Sequence, residues 1–279
     1  MKTEEGEYVG YDGKKMFMRG WVPDGEPRAL VIGLHGLGSH SGLLSFVGEL
    51  YANRGYAFMA PDLRGFGHYD GIKGHVESFS EIVEDVNNFV AQMKDRFEGL
   101  QTFMHGHSFG GLVAVHYTAK YSDQLDGILI PCPAVSERLE MGKATRAIAG
   151  LLSKINVKRK FDMGLNLDLI SRNPEVVKRN KEDPLRITTC TPRFGAEGFK
   201  AREEGFNLGN EIRIPVILQQ SEEDLILIPE MNKEFFDSIA SEDKTFKMYP
   251  DLFHEPFEDP GGQEFIEDMF SWLDKRVTN

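Results

Sequence analysis

Thr102-Phe-Met-His-Gly106 runs into Gly106-His107-Ser108-Phe109-Gly110-Gly111, and Leu112-Val-Ala-Val-His-Tyr117 leaves it. The entering run is short and apolar, as a strand buried on both faces is, and the leaving run reads as a helix. A turn between such elements holds its serine in a strained backbone conformation, with glycines where side chains would clash. The serine then stands at a helix N-terminus, where backbone N–H groups favour developing negative charge. A glycine-rich turn that only packs a helix onto a sheet shares the bare G-x-S-x-G pattern. The flanking strand and helix favour the reactive serine.

Working outward, the same rhythm repeats. Ala29-Leu-Val-Ile-Gly-Leu34, Ala57-Phe-Met-Ala60, Leu125-Asp-Gly-Ile-Leu-Ile130 and Pro215-Val-Ile-Leu-Gln219 are further apolar runs, and Thr245-Phe-Lys-Met-Tyr249 alternates as an edge strand does. Between them, Ser80 to Met93 places Ile82, Val83, Val86, Phe89, Val90 and Met93 on one helical face, and Phe265 to Leu273 closes the chain similarly. The expectation is an α/β fold: an open, mostly parallel sheet with helices on both faces and ligands at the carboxyl ends of its strands. Ser136 to Glu182 breaks the alternation. No strand is expected there; Leu139 to Ile155 reads as a helix with Ala144, Ile148, Leu151 and Ile155 in a stripe. A short helix is expected at Asp168–Ser171, and Asn173-Pro174 opens another.

A serine needs a base to take its proton, and the base needs an orienting carboxylate. On this architecture the order is Ser, then Asp or Glu, then His. Seven of the eight histidines (35, 40, 68, 75, 105, 107 and 116) precede position 117, so His254, in the loop Pro250-Asp-Leu-Phe-His254, is the expected base. Glu222, Glu223 and Asp224 crowd the end of the strand before it. Asp224 is preferred because the chain must turn before a carboxylate reaches His254, and Asp251 stays open as an alternative. The backbone N–H groups of Phe109 and of Leu37, in His35-Gly-Leu-Gly38, are the expected oxyanion donors.

Composition narrows the classes. The 279 residues carry 44 Asp/Glu against 32 Lys/Arg, a formal net charge of −12, which argues against a nucleic-acid partner. Two cysteines, Cys132 and Cys190, are too few for a disulfide framework, and no ligand spacing suggests a metal site. The first residues lack an apolar signal core, and nowhere do 18 apolar residues run together. A cytoplasmic protein is expected, at most peripheral to a membrane, with no cofactor or metal.

His35-Gly-Leu-Gly-Ser-His-Ser-Gly42, Ala60-Pro-Asp-Leu-Arg-Gly-Phe-Gly67, Gly106-His-Ser-Phe-Gly-Gly111, Asp183-Pro-Leu185 and Lys244-Thr-Phe-Lys-Met-Tyr-Pro250 occur in one order. From about residue 29 onward the chain resembles the monoacylglycerol lipase and lysophospholipase group of α/β-hydrolases. The resemblance implies a Ser108–Asp224–His254 triad with Leu37 and Phe109 as oxyanion donors. It also implies a catalytic domain of residues 1–135 and 183–279 interrupted by a helical cap, 136–182. The implied reaction is hydrolysis of a lipid ester, monoacylglycerol or lysophospholipid, through an acyl-enzyme. The chain departs from the group at Ser39, Tyr69 and Phe109, which border the pocket and bear on the exact substrate. A short- to medium-chain carboxylesterase and a non-catalytic scaffold acting as a binding module are the alternatives. Acyl transfer and peptide hydrolysis on the same triad also stay open.

The average charge hides a division. Ser136 to Glu182 holds 11 Lys/Arg and 6 Asp/Glu, a net +5, which leaves −17 on the rest of the chain. Lys143, Arg146 and Lys154 flank the apolar stripe, a pattern that suits transient contact with an anionic membrane or micelle surface. The plainer reading packs the stripe on the catalytic domain and turns the lysines to water.

Overall fold

The computed structural model describes residues 1–136 and 150–278. Its chain opens with a hairpin that the apolar runs above do not include. Strands β1 (Lys2–Val9) and β2 (Lys15–Val22) pair antiparallel across a tight turn in which Gly13 adopts φ +81°. Met16, Met18 and Trp21 of β2 point inward, a partial alternation too weak to stand out beside the continuous runs downstream.

The continuous runs are the strands β3 (Leu30–Leu34), β4 (Ala57–Pro61), β5 (Thr102–Gly106), β6 (Gly127–Pro131) and β9 (Val216–Ser221), each buried along its whole length. With β10 (Lys244–Tyr249) at the far edge they form one eight-stranded sheet in the order β1-β2-β4-β3-β5-β6-β9-β10. It is parallel from β4 to β10 and antiparallel at the hairpin end.

Period-two alternation divides the core into two layers. Leu30, Ile32, Met59, Met104, Ile128 and Leu218 face one side, against helices α2 (Phe79–Arg96) and α3 (Phe109–Tyr121). Val31, Phe58, Phe103, Leu129 and Ile217 face the other, with α1 (Ser45–Asn53) and the C-terminal helix Gln263–Asp274. Each such side chain contributes about 1.5–3 kcal/mol on burial, which holds both helical layers to the sheet.

The segment after β6 departs in one respect from its reading. Phe161–Asp162 is a two-residue strand, β7, paired antiparallel with β8 (Thr189–Cys190), where no strand is expected. Two residues cannot show a period, so only the paired chain reveals it. Residues 150–154 are helical, but most of the Leu139–Ile155 helix, with Ala144 and Ile148, lies outside the described residues. The turn near Asp168 is a 3-10 turn, Leu167–Leu169, and α4 (Pro174–Glu182) begins where Asn173 caps the N–H of Glu175. The helix Pro192–Phe206, α5, leads back toward β9.

Candidate active site

At the end of β5 the chain reverses sharply. Ser108 takes φ 56° and ψ −119°, a left-handed conformation that costs a non-glycine residue about 1–3 kcal/mol. The positions two residues to either side must be glycine: a Cβ on Gly106 would lie 2.4 Å from the Gly110 carbonyl oxygen, and one on Gly110 would lie 2.1 Å from that of Leu34. The turn is held by Ser108 N–H to the Pro131 carbonyl (3.3 Å) and by Ala134 N–H to the Ser108 carbonyl (2.9 Å). Ser108 is thereby left at the N-terminus of α3.

Two loops bring the partners. His254 Nε2 lies 2.8 Å from Ser108 Oγ, and His254 Nδ1 lies 2.8 Å from Asp224 Oδ2. The carboxylate accepts from Nδ1–H, which leaves Nε2 with a lone pair to accept the serine proton. Asp224 is completely buried and its second oxygen accepts the N–H groups of Ile226 (2.8 Å) and Leu227 (2.9 Å). Glu222, Glu223 and Asp251 are exposed, and of these four carboxylates Asp224 is the one hydrogen-bonded to His254 among the described residues. The N–H groups of Leu37 and Phe109 belong to residues lining the cavity beside Ser108, and among the described residues neither donates to an acceptor.

The cavity holds about 460 Å³, inside the range of small-molecule sites. Leu37, Phe109, Met163, Ile170, Phe194 and Leu225 form much of its apolar wall, so residues from the 136–182 segment help to enclose it.

Residues 25–261 match the family described as serine aminopeptidase, S33. The chain belongs to that family. Its fold is the α/β-hydrolase fold. A monoacylglycerol lipase of Mycolicibacterium smegmatis is 28% identical to this S33-family chain over 270 residues, 96% of each protein. An uncharacterized abhydrolase domain-containing protein of Dictyostelium discoideum is 27% identical over 270 residues, and there the chain spans 28% of the relative's length. Among solved structures, the monoacylglycerol lipase of Paleococcus ferrophilus superposes with a TM-score of 0.83 at 29% identity, covering 99% of this chain and 100% of that one.

Electrostatics in this S33-family site favour proton relay. Burial disfavours a charged His254, but the Asp224 charge and hydrogen bond outweigh it and raise the imidazole above its ordinary value. Burial likewise pushes the Asp224 carboxyl up, yet the His254 charge and the hydrogen bonds to it lower it overall. His107, by contrast, is lowered by burial and stays neutral; its Nε2–H donates to the His254 carbonyl at 2.8 Å. Cys132, Asp224 and His254 are the one group of close metal-ligand types among the described residues. Both ring nitrogens of His254 are already engaged, and burial raises the Cys132 thiol far from ionisation, so the donor set does not suit a cation.

Several supporting residues carry no local signal. Buried Asp259 accepts from the N–H groups of Phe253 (2.9 Å) and Arg172 (2.7 Å) and from the Ser171 hydroxyl, tying the His254 loop to the chain before α4. Gln220 Nε2 reaches Asp224 Oδ2 at 3.4 Å, and Asn232 and Ser136 continue that chain. Asp183, noted above only as part of a motif, accepts from His40 Nε2 at 3.0 Å and anchors the returning chain.

Proposed function

We propose that the protein hydrolyses carboxylic esters of lipids, monoacylglycerol foremost, through an acyl-enzyme on Ser108. The continuous Ser108–His254–Asp224 hydrogen-bond chain, opening into an apolar cavity, carries this reading. His254 takes the Ser108 proton as Oγ attacks the ester carbonyl. The Leu37 and Phe109 N–H groups receive the oxyanion, and His254 returns the proton to the leaving alcohol. Water then repeats the steps on the acyl-enzyme. The apolar wall favours a chain over acetate, since each buried methylene contributes about 0.8 kcal/mol. The names of the relatives point the same way. A fluorophosphonate probe should label the wild type and not Ser108→Ala, and kcat/KM should rise from acetyl to medium-chain esters. An unlabelled wild type would leave a binding module instead.

In this reading residues 136–182 form a cap that meets lipid surfaces. Leu151, Ile155 and Phe161 are exposed beside exposed Lys154, Arg159 and Lys160, a combination suited to an anionic interface. Co-sedimentation with anionic vesicles at low salt should exceed that with neutral ones; equal binding would rule the surface role out.

A further inference from the structure

Arg186 lies three residues past Asp183, on the loop that returns from α4 to β8, and it lines the cavity with Ser108, His254 and Glu255. That loop is rigidly placed. Ile187 N–H donates to the Gly38 carbonyl at 2.9 Å, and a Cβ on Gly38 would lie 2.1 Å from the Ile187 carbonyl oxygen. Asp183 accepts the N–H groups of Leu185 (2.8 Å) and Arg186 (3.3 Å) while its other oxygen holds His40. The loop therefore presses backbone to backbone against the loop after β3 that carries Leu37.

Among the described residues the guanidinium has no hydrogen-bond partner. Its Nε is buried without a hydrogen-bond partner, and among the described residues no carboxylate pairs with the group. Glu255 and Asp183 act on it only through space. Arg64, the deeply buried arginine elsewhere in the fold, shows the ordinary solution: its nitrogens bond Asp85 at 2.6 Å and Asp12 at 3.0 Å. A cationic fork left open inside a cavity is suited to an oxyanion brought by a ligand. Arg186 acts electrostatically on His254, the group that protonates the leaving alcohol, and shares a wall with the next residue, Glu255. The Ile187–Gly38 hydrogen bond also sets Arg186 next to the loop that carries Leu37, at the Ser108 end of the cavity, where the ester and its alcohol portion would lie rather than the far end of an acyl chain.

We propose that Arg186 binds an anionic group, phosphate or carboxylate, on the alcohol portion of the substrate, so that acylated polyols bearing negative charge are preferred over neutral glycerides. The inference rests on the ester-hydrolase reading of Ser108 and sharpens its substrate class. Glu255, on the same wall, confines the anion to the guanidinium by repelling it elsewhere. The test compares decanoylglycerol, decanoylglycerol phosphate and decanoylglycerate, all below their critical micelle concentrations, on wild type, Arg186→Gln and Arg186→Lys. The quantity read is the ratio of kcat/KM for an anionic ester to that for the neutral one within each variant, so that any loss of folded enzyme cancels. Removing a charge-assisted fork should lower that ratio about ten- to a hundredfold in Arg186→Gln, with Arg186→Lys between. The anion that loses more, phosphate or carboxylate, is the one the site reads. A ratio unchanged by the substitution, or a wild type that hydrolyses only the neutral ester, overturns the inference and leaves the ester-hydrolase reading standing. A wild type that cleaves none of the three and takes up no fluorophosphonate removes that reading, and the inference with it.

Discussion

Asp224→Asn separates the geometry of the site from its chemistry. In the wild type, Asp224 Oδ1 is held by the N–H groups of Ile226 and Leu227 at 2.8 and 2.9 Å, and Oδ2 faces His254 Nδ1 at 2.8 Å. The two backbone donors require an acceptor, so the carbonyl oxygen of the introduced amide stays on them and its NH2 turns to His254. Nδ1 must then accept, which moves the ring proton to Nε2, pointing at Ser108 Oγ. The packing survives, but the base no longer has a lone pair for the serine. The expected loss is about 10⁴-fold in kcat, about 5.4 kcal/mol of barrier, by comparison with the same change in a serine protease triad. The pH profile adds an independent reading. His254 is raised above its ordinary value chiefly because Asp224 outweighs burial, and the reaction needs the neutral ring. Wild-type kcat/KM therefore falls as pH drops through a value above about 6.5, and the residual activity of the variant keeps its acid limb to a lower pH. Steady-state hydrolysis of p-nitrophenyl butyrate between pH 5 and 9, with a thermal melt as the folding control, measures both. A loss under tenfold in a folded variant would refute the assignment of Asp224 as the orienting acid.

Other perturbations test the scaffold. Gly110→Ala places a methyl group 2.1 Å from the Leu34 carbonyl oxygen, so strand and helix must part; a loss of about 1–3 kcal/mol or more is expected in urea unfolding. Asp259→Ala strips the acceptor from the Phe253 and Arg172 N–H groups and should destabilise the fold by about 2–4 kcal/mol. It should also expose the His254 loop to limited proteolysis and lower kcat more than it raises KM.

Legibility follows locality. The elbow can be read from a few consecutive residues because strand, glycines, serine and helix each leave a local mark, and Ser108 stands where they place it. His254 is legible through order along the chain, since no other histidine follows Tyr117. Asp224 is only narrowed to a cluster; what separates it from Glu222 and Glu223 is the turn closed by Ile226 and Leu227, which spacing suggests but does not display. The β1–β2 hairpin escapes the reading because it lies half in solvent and half on the sheet, and its apolar residues are diluted by charge. Asp259 with Ser171, and His107 with the His254 carbonyl, join residues 88 and 147 positions apart. No periodicity spans such distances.

The same distinction governs charge. A net −17 on the chain outside residues 136–182 predicts, as an average, a molecule that repels anions. Charges exposed to water are screened within about 8 Å at physiological ionic strength, so that average says little about the floor of a cavity. There the nearest unbalanced charge dominates, and groups sheltered from water are screened far less. Glu255 and Asp183 act on Arg186 from a distance, but Asp183 is engaged with His40 and two backbone N–H groups. Among the described residues the guanidinium is consequently left without a hydrogen-bond partner in the cavity it shares with Ser108, in a protein whose composition suggests the opposite polarity. If it does bind the substrate's anion, raising ionic strength should weaken that selectivity less than it weakens attachment of the exposed Lys154, Arg159 and Lys160 to anionic vesicles, because only the latter are surrounded by solvent.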